Sequence, residues 1–139
     1  QAQILDLIRG LQQEMGMAVL LITHDLGVVA RTCNRGLVMY AGRTAESPPA
    51  KELFAEPKHP YTRALIASLP SLETKGAMRG IPGLAPLLRD LPPGCAFHPR
   101  CRYAEARCKV DRPDLVEVEP GRHVACWRAG ACWSRRADS

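Results

Sequence analysis

The spacing of apolar residues predicts the elements of the first part of the chain. Between Gln1 and Met15, apolar residues recur every three to four positions, which is the period of an amphipathic helix. Gly16 follows, and a glycine commonly lies just past the end of a helix. The continuous apolar run 17–23 is typical of a strand that is buried on both faces, as in a parallel sheet covered by helices. A helix followed by such a strand predicts an α/β fold whose other strands come from sequence outside this chain.

Shorter elements are predicted after the run. Asp25 is placed to cap a helix that ends near residue 33. The apolar stretch 37–40, the Ala41-Gly42 turn and a return over 43–46 predict a hairpin. Proline residues bound two further predicted helices, at 50–55 and from 60 to about 69.

Beyond Pro70 the pattern changes. Proline and glycine recur and the apolar periodicity fades, which predicts a loop-rich segment. Such a segment buries too little apolar surface to be held by a large core. Four of the six cysteines lie in it, between Cys95 and Cys126, and are the candidates for holding it together.

Composition narrows the class of protein. Hydrophobic residues make up 46% and charged residues 24% of the 139 residues, and no apolar stretch approaches the roughly 18 residues of a membrane-spanning helix. No secretory signal pattern is present, and the chain starts at Gln1 inside a predicted helix, so we expect it to be cut from a longer protein.

The net charge of +5 permits an acidic partner, but the basic residues are scattered and aromatic residues are only 5% of the chain. Nucleic-acid binding is therefore not expected and stays only as a second alternative.

His24 is a candidate functional residue because of its position. It directly follows the predicted buried strand, and ligands of open α/β sheets bind at the carboxyl ends of the strands. A histidine that only packs or caps would give the same pattern, so spacing alone leaves both roles open.

Four segments of the chain, in the same order along the sequence, resemble segments of a known protein family. The first resembles the switch-histidine segment of ABC ATPases, and the last resembles the His-Pro-Tyr-Thr segment of the ATP-binding subunits of dipeptide/oligopeptide ABC importers. The cysteine-rich tail is similar to the C-terminal extension of the same subfamily. The four segments are 21–30, 38–43, 52–54 and 57–65.

The resemblance implies a catalytic role for His24. In that family the switch histidine contacts the γ-phosphate of ATP and helps to hold the attacking water in line, and an imidazole can stabilise charge on the transferring phosphoryl group. Asp25 is expected to cap the following helix. The phosphate-binding Gly-rich loop, the acidic strand end that holds Mg²⁺ and the family's signature motif are absent from the sequence. We therefore expect ATP and Mg²⁺ to bind only the complete subunit, with this chain alone inactive.

The resemblance also implies an architecture and partners. The expected fold is the C-terminal remainder of a P-loop nucleotide-binding domain followed by a loop-rich extension. The expected partners are a second ATPase subunit, two membrane permeases and a separate solute-binding protein, at the cytoplasmic face of the bacterial inner membrane. A stand-alone metal-binding module is the first alternative. We expect the nucleotide-binding domain to end within residues 1–42 and the extension to start over 43–70. Its four-cysteine part is expected at 71–127, with a tail at 128–139.

Two departures from the family pattern predict weaker local packing. Asn34-Arg35-Gly36 stands where the family usually has aspartate and a β-branched residue, and Gly36 opens a strand that normally starts with an apolar side chain. Thr44-Ala45 replaces larger apolar residues in the hairpin. Neither change touches a residue that the family uses in catalysis.

The cysteines of the tail leave three possibilities open. Cys95, Cys101, Cys108 and Cys126 could form disulfides, bind zinc or hold an iron–sulfur cluster. The family's reducing compartment disfavours disulfides, and the two-residue spacing typical of zinc knuckles is missing, with His123 as an alternative fourth zinc ligand. The resemblance implies a structural [4Fe–4S] cluster on these four cysteines, since metal-binding free energy would stabilise a segment without a core.

The remaining cysteines and the His-Pro-Tyr segment have simpler expected roles. Cys132 could replace Cys126 as a ligand, whereas Cys33 is expected to be a small packing residue on a helix. Pro60 is expected to start a helix between His59 and Tyr61. This pattern favours a structural elbow with an inward aromatic ring over a ligand contact.

Overall fold

The computed structural model describes residues 2–70 and 80–129. This part of the chain contains four α-helices, a four-stranded antiparallel sheet and several 3₁₀ turns. The helices are α1 (Ala2–Met15), α2 (Leu26–Thr32), α3 (Ala50–Ala55) and α4 (Pro60–Ala67), and the strands are β1 (Val38–Tyr40), β2 (Arg43–Ser47), β3 (Val116–Glu119) and β4 (Arg122–Val124).

All four predicted helices are confirmed to within a few residues. Asp25 caps α2 as expected, because its carboxylate accepts hydrogen bonds from the backbone N–H groups of Gly27 and Val28. The helix α1 is amphipathic but buries none of its residues, and Gly16 beyond it has a φ of 63°. Its apolar face is therefore presented to solvent in this chain.

The predicted buried strand at 17–23 is wrong for this chain. The segment forms no strand, and the side chains of Leu20 and Ile22 are 88% and 90% exposed. A central strand needs neighbours on both sides to satisfy its backbone N–H and C=O groups. The described residues provide no such neighbours, and the one sheet among them is antiparallel rather than the parallel sheet expected of an α/β fold.

The predicted hairpin is confirmed and forms one half of the observed sheet, with β1 at its edge. Ala41 and Gly42, with φ values of 48° and 78°, make the two-residue turn between β1 and β2, as hairpins of right-handed twist prefer. The strand order is β1-β2-β4-β3, so β4 pairs with β2 from about 76 residues further along the chain. The hairpin of β3 and β4 was not predicted, because its strands are only four and three residues long and β3 is fully exposed.

The core lies on one face of this sheet and joins the hairpin to the cysteine-rich segment. Tyr40, Ala45 and Phe97 are its buried members, and Tyr61 packs against them. The ring of Tyr40 lies 4.7 Å from that of Tyr61 and 5.2 Å from that of Phe97, centroid to centroid. The first pair is tilted and the second is edge-to-face, a favourable arrangement for aromatic rings, so one cluster fixes β1, α4 and the segment around Phe97.

The two sequence departures lie at closely packed positions. A Cβ atom on Gly36 would lie 2.8 Å from Cδ2 of Leu53, a side chain that is only 1% exposed. Leu53 of α3 thus fills the space that a larger residue at position 36 would take. Ala45 is 5% exposed and belongs to the core, where a small residue leaves room for the aromatic rings. At both positions the small residue thus lies against a buried neighbour.

The loop-rich character of the tail is confirmed between residues 80 and 115. Only short 3₁₀ turns occur there, at Leu88–Asp90, His98–Arg100 and Ala106–Lys109. Within the described residues, no helix is both long and apolar enough to cross a membrane.

Candidate functional site

His24 is exposed on the loop that leads into α2. The loop is shaped locally, because the backbone N–H of Asp25 donates to Oγ1 of Thr23 at 3.0 Å and the Asp25 carboxylate then caps the helix. Nothing in the described part of the chain covers the imidazole. The structure thus presents His24 just before a short capped helix, with its imidazole exposed.

The four predicted cysteines line one cavity. Cys95, Cys101, Cys108 and Cys126 all contribute to its wall, with aromatic and imidazole rings between them. Cys108 is buried and the other three are half-buried. The remaining lining residues are His59, Pro60, Phe97, His98, Tyr103, Pro113, Trp127 and Arg128.

Backbone N–H groups point at three of the four sulfur atoms. Cys95 accepts from the residues at 97 and 98, Cys101 accepts from Tyr103, and Sγ of Cys126 accepts from the N–H of Arg128 at 3.4 Å. Such donors favour the thiolate form, which is the form that binds metals. The loops around the cavity therefore supply the partners that sulfur ligands need.

Burial acts on the same thiols in the opposite direction. It raises the pKa values of the Cys95 and Cys101 thiols and raises that of Cys126 to about 12, and the neighbouring thiols raise them further. These three thiols are therefore neutral near pH 7 unless a cation compensates their charge. In the part of the chain that the structure describes, no group of three or more His, Cys, Asp or Glu side chains is arranged to hold a single metal ion.

Gly94 allows two of the cysteine segments to approach each other. Its φ is 73°, and a Cβ atom there would overlap the backbone carbonyl of Cys108. The same carbonyl accepts the N–H of Cys95 at 2.8 Å. A glycine is thus needed for the chain to bring Cys95 beside Cys108.

The alternative zinc ligand His123 does not line this cavity. His123 lies in β4, paired with residues of β2 and β3, and is not among the lining residues. Cys33 is the half-buried C-cap of α2 and is not among the lining residues. Cys132 lies outside the described residues.

The His-Pro-Tyr segment forms the expected structural elbow. Pro60 opens α4, and Nδ1 of His59 accepts the N–H of Tyr61 at 3.0 Å, so His59 is the N-cap of the helix. The ring of Tyr61 packs inward against Tyr40 and Phe97. His59 itself is only 4% exposed, and burial lowers its pKa to about 4.

A buried ion pair supports both the elbow and the end of the sheet. Glu46 of β2 is completely buried and Arg122 of β4 is 2% exposed, and their nearest side-chain atoms are 3.4 Å apart. The Glu46 carboxylate also accepts the backbone N–H groups of Lys58 at 2.8 Å and His59 at 3.0 Å. Three partly exposed carboxylates complete the surroundings of Arg122, at Glu52, Glu56 and Glu119.

Sequence reasoning missed this pair and the walls of the cavity. Glu46 lies at the end of the predicted hairpin, but an isolated glutamate in a strand carries no sign of its burial. Arg122 precedes Cys126 by four residues within an unpredicted strand. The signal that could have found them was the alternation of Val and Glu over 116–119 followed by Pro120-Gly121, which predicts a hairpin next to the last cysteine.

The comparisons with known proteins agree on a family. Residues 45–108 match the family model described as the C-terminal region of oligopeptide/dipeptide transporters. A probable peptide ABC transporter ATP-binding protein of Sinorhizobium fredii is 50% identical over 131 residues, which cover 93% of this chain and 39% of that protein.

Two further relatives have the same pattern. An oligopeptide transport ATP-binding protein of Salmonella typhimurium is 47% identical over 92% of this chain, and a dipeptide transport ATP-binding protein of Escherichia coli is 43% identical over 91%. The chain spans 38% and 39% of the lengths of these two proteins. The chain is therefore a relative of the ATP-binding proteins of oligopeptide/dipeptide ABC transporters, and its residues 45–108 match the C-terminal region of that family.

Proposed function

We propose that this chain is part of an ATPase subunit that couples ATP hydrolysis to the import of peptides or related small solutes. The observation that supports this is the identity of about half the residues, over nine tenths of the chain, to peptide ABC transporter ATP-binding proteins. The proposed partners are a second ATPase subunit, two permeases and a solute-binding protein at the cytoplasmic face of the inner membrane.

His24 is proposed to contact the γ-phosphate of ATP in the complete subunit. Its exposure at the start of α2 leaves the imidazole accessible to a nucleotide, and the Asp25 cap gives the loop a defined conformation. An imidazole donor at the transferring phosphoryl group stabilises charge that develops in the transition state.

The chain alone is proposed to be inactive, because its sequence holds no phosphate-binding loop. Titration of the 139-residue chain with Mg-ATP in a calorimeter should give no saturable heat up to millimolar nucleotide. Saturation at micromolar or lower concentration would contradict the proposal.

The role of His24 requires a complete subunit to test. We suggest fusing this chain to the preceding part of the Sinorhizobium fredii relative and measuring ATP hydrolysis in the reconstituted transporter. His24→Ala should lower kcat by roughly 10²–10³-fold, as loss of one transition-state donor does elsewhere.

Asp25→Ala is the matched control for that experiment. It removes the cap of α2 and should cost about 1 kcal/mol of helix stability while leaving kcat within a few-fold. Equal losses of kcat in the two variants would indicate that His24 acts only through the conformation of the loop.

We also propose that the cysteine cavity holds a structural [4Fe–4S] cluster. Four thiols around one cavity and backbone donors to three of them fit the chemistry of thiolate ligands. A cluster spreads four thiolates over four metal atoms, so its ligands need not converge on one point as those of a single zinc ion do. When bound, such a cluster would cross-link the loops that carry the cysteines.

The cluster is tested by metal and acid-labile sulfide analysis of protein purified without oxygen. About four iron and four sulfide per chain are expected, with the Cys95→Ser variant deficient and the Cys33→Ser variant unchanged. Stoichiometric zinc would instead support the single-ion alternative. Metal-free protein would overturn both and leave the transporter assignment resting on the sequence relationship.

A further inference from the structure

His59 has both ring nitrogens engaged. Nδ1 accepts the N–H of Tyr61 at 3.0 Å, so Nδ1 carries no proton. The backbone of Ala125 also makes a hydrogen bond to the ring, and because this bond raises the pKa of His59 the ring donates it, from the nitrogen that Tyr61 leaves free. His59 is therefore fixed as the neutral tautomer with the proton on Nε2, and neither nitrogen is free to bind a metal.

The residue that His59 faces precedes a predicted metal ligand. Ala125 lies directly before Cys126, and its N–H donates to the carbonyl of Ala45 at 2.8 Å. The backbone N–H of His59 donates to Oε2 of Glu46 at 3.0 Å. The start of α4 and the segment that carries Cys126 are thus both tied to β2, and the His59 ring spans the space between them.

The ring of His59 is also part of the cavity wall. It lines the cavity together with Cys126 and lies 6.0 Å from the ring of Phe97, which follows Cys95 by two residues. The histidine is only 4% exposed, so it cannot leave this position without opening the wall.

We infer that His59 is a positioning residue for the cysteine cavity, holding the segment of Cys126 against the start of α4. This inference rests on the proposed function of the four cysteines as one site. It assigns the His-Pro-Tyr segment, which lies more than 30 residues before Cys95, a role in building that site.

The first test uses the wild-type chain. Long-range ¹H–¹⁵N correlation spectra of the histidine rings at pH 7 should show His59 with a proton on Nε2 and none on Nδ1. A His59 ring that is protonated on Nδ1, or on both nitrogens, would overturn the inference, whatever the behaviour of variants.

Two variants separate the contacts of the ring. His59→Asn keeps a good helix cap but cannot reach Ala125, whereas His59→Gln keeps a donor that reaches the position of Nε2 and loses the cap. The readout is the rate at which Cys126 is alkylated in the metal-free, folded chain, mapped by mass spectrometry with Cys33 as the internal reference.

Loss of the contact in His59→Asn should speed alkylation of Cys126 about tenfold, the size expected for one buried hydrogen bond. His59→Gln should stay within about threefold of the wild type on the same grounds. Equal rates in all three proteins would overturn the inference, as would faster labelling in His59→Gln than in His59→Asn. Alkylation of the thiols is measured on the metal-free chain. A wild-type chain that binds no iron would therefore refute the cluster, and the alkylation rates would still decide the role of His59.

Discussion

At the scale of single residues, His59 makes stability depend on pH. Burial lowers its pKa to about 4, against 6.5 in the unfolded chain. Between these pH values the unfolded chain binds more protons than the folded chain. The contribution of His59 to the free energy of unfolding is therefore fully present above pH 6.5 and is lost as the pH falls towards 4. The shift corresponds to about 3 kcal/mol in total.

Denaturant unfolding at pH 7, 5.5 and 4.5 measures this effect. The wild type should lose free energy of unfolding more steeply than His59→Gln, which has no titrating group at position 59 and keeps all the others. Parallel curves for the two proteins would show that His59 does not carry the dependence.

Gly94 is the second residue whose conformation decides the site. Its φ is positive, and a Cβ atom there would overlap the Cys108 carbonyl. We therefore expect Gly94→Ala to lower the free energy of unfolding by about 1–3 kcal/mol or more, the usual cost of backbone strain. Gly80 serves as the control, because a Cβ atom there would meet none of the described residues beyond its chain neighbours within 4 Å. Gly80→Ala should change the free energy of unfolding by less than about 0.5 kcal/mol. Similar effects at the two glycines in denaturant unfolding would contradict this account.

At the scale of elements, the pair of Glu46 and Arg122 holds β2 to β4 and to the linker before α4. Removing one member leaves a buried charge, so Arg122→Met should cost about 3–5 kcal/mol of unfolding free energy. The double variant with Glu46→Gln should recover part of that loss, and the coupling is read from a double-mutant cycle.

An exposed pair provides the control for this prediction. Arg89 and Asp90 are 3.5 Å apart with side chains 81% and 72% exposed, so Arg89→Met should cost no more than about 1 kcal/mol. A loss at Arg122 as small as that at Arg89 would mean that the buried pair does not hold the strands together.

At the scale of the whole molecule, the N-terminal segment is the part without a core. The helix α1 buries no residue, and several large apolar side chains of 4–22 are exposed. Exposed apolar surface of this kind promotes self-association. In the complete subunit we expect it to pack against the preceding sequence.

Deleting residues 1–24 tests this view. The truncated chain should keep its melting temperature within a few degrees, because the sheet and the cysteine cavity use none of the deleted residues. Size-exclusion chromatography with light scattering should show less association than for the full chain. A large loss of melting temperature would mean that α1 stabilises the rest of the fold.

The sequence by itself determined the elements that depend on local signals. The period of α1, the Asp25 cap, the turn at Ala41-Gly42 and the proline start of α4 each act within a few residues. The sequence also placed four cysteines in one loop-rich segment, although their spacing could not show that they line a single cavity.

Tertiary structure alone decided which segments meet. The run 17–23 has the composition of a buried strand, but a strand forms only where neighbours pair with it, and here there are none among the described residues. The short strand β4 forms because β2 offers it a free edge, and its pairing buries Arg122 beside Glu46. His59 comes to face Ala125 by the same pairing. These contacts join residues some 60 to 80 positions apart, and no local pattern encodes them.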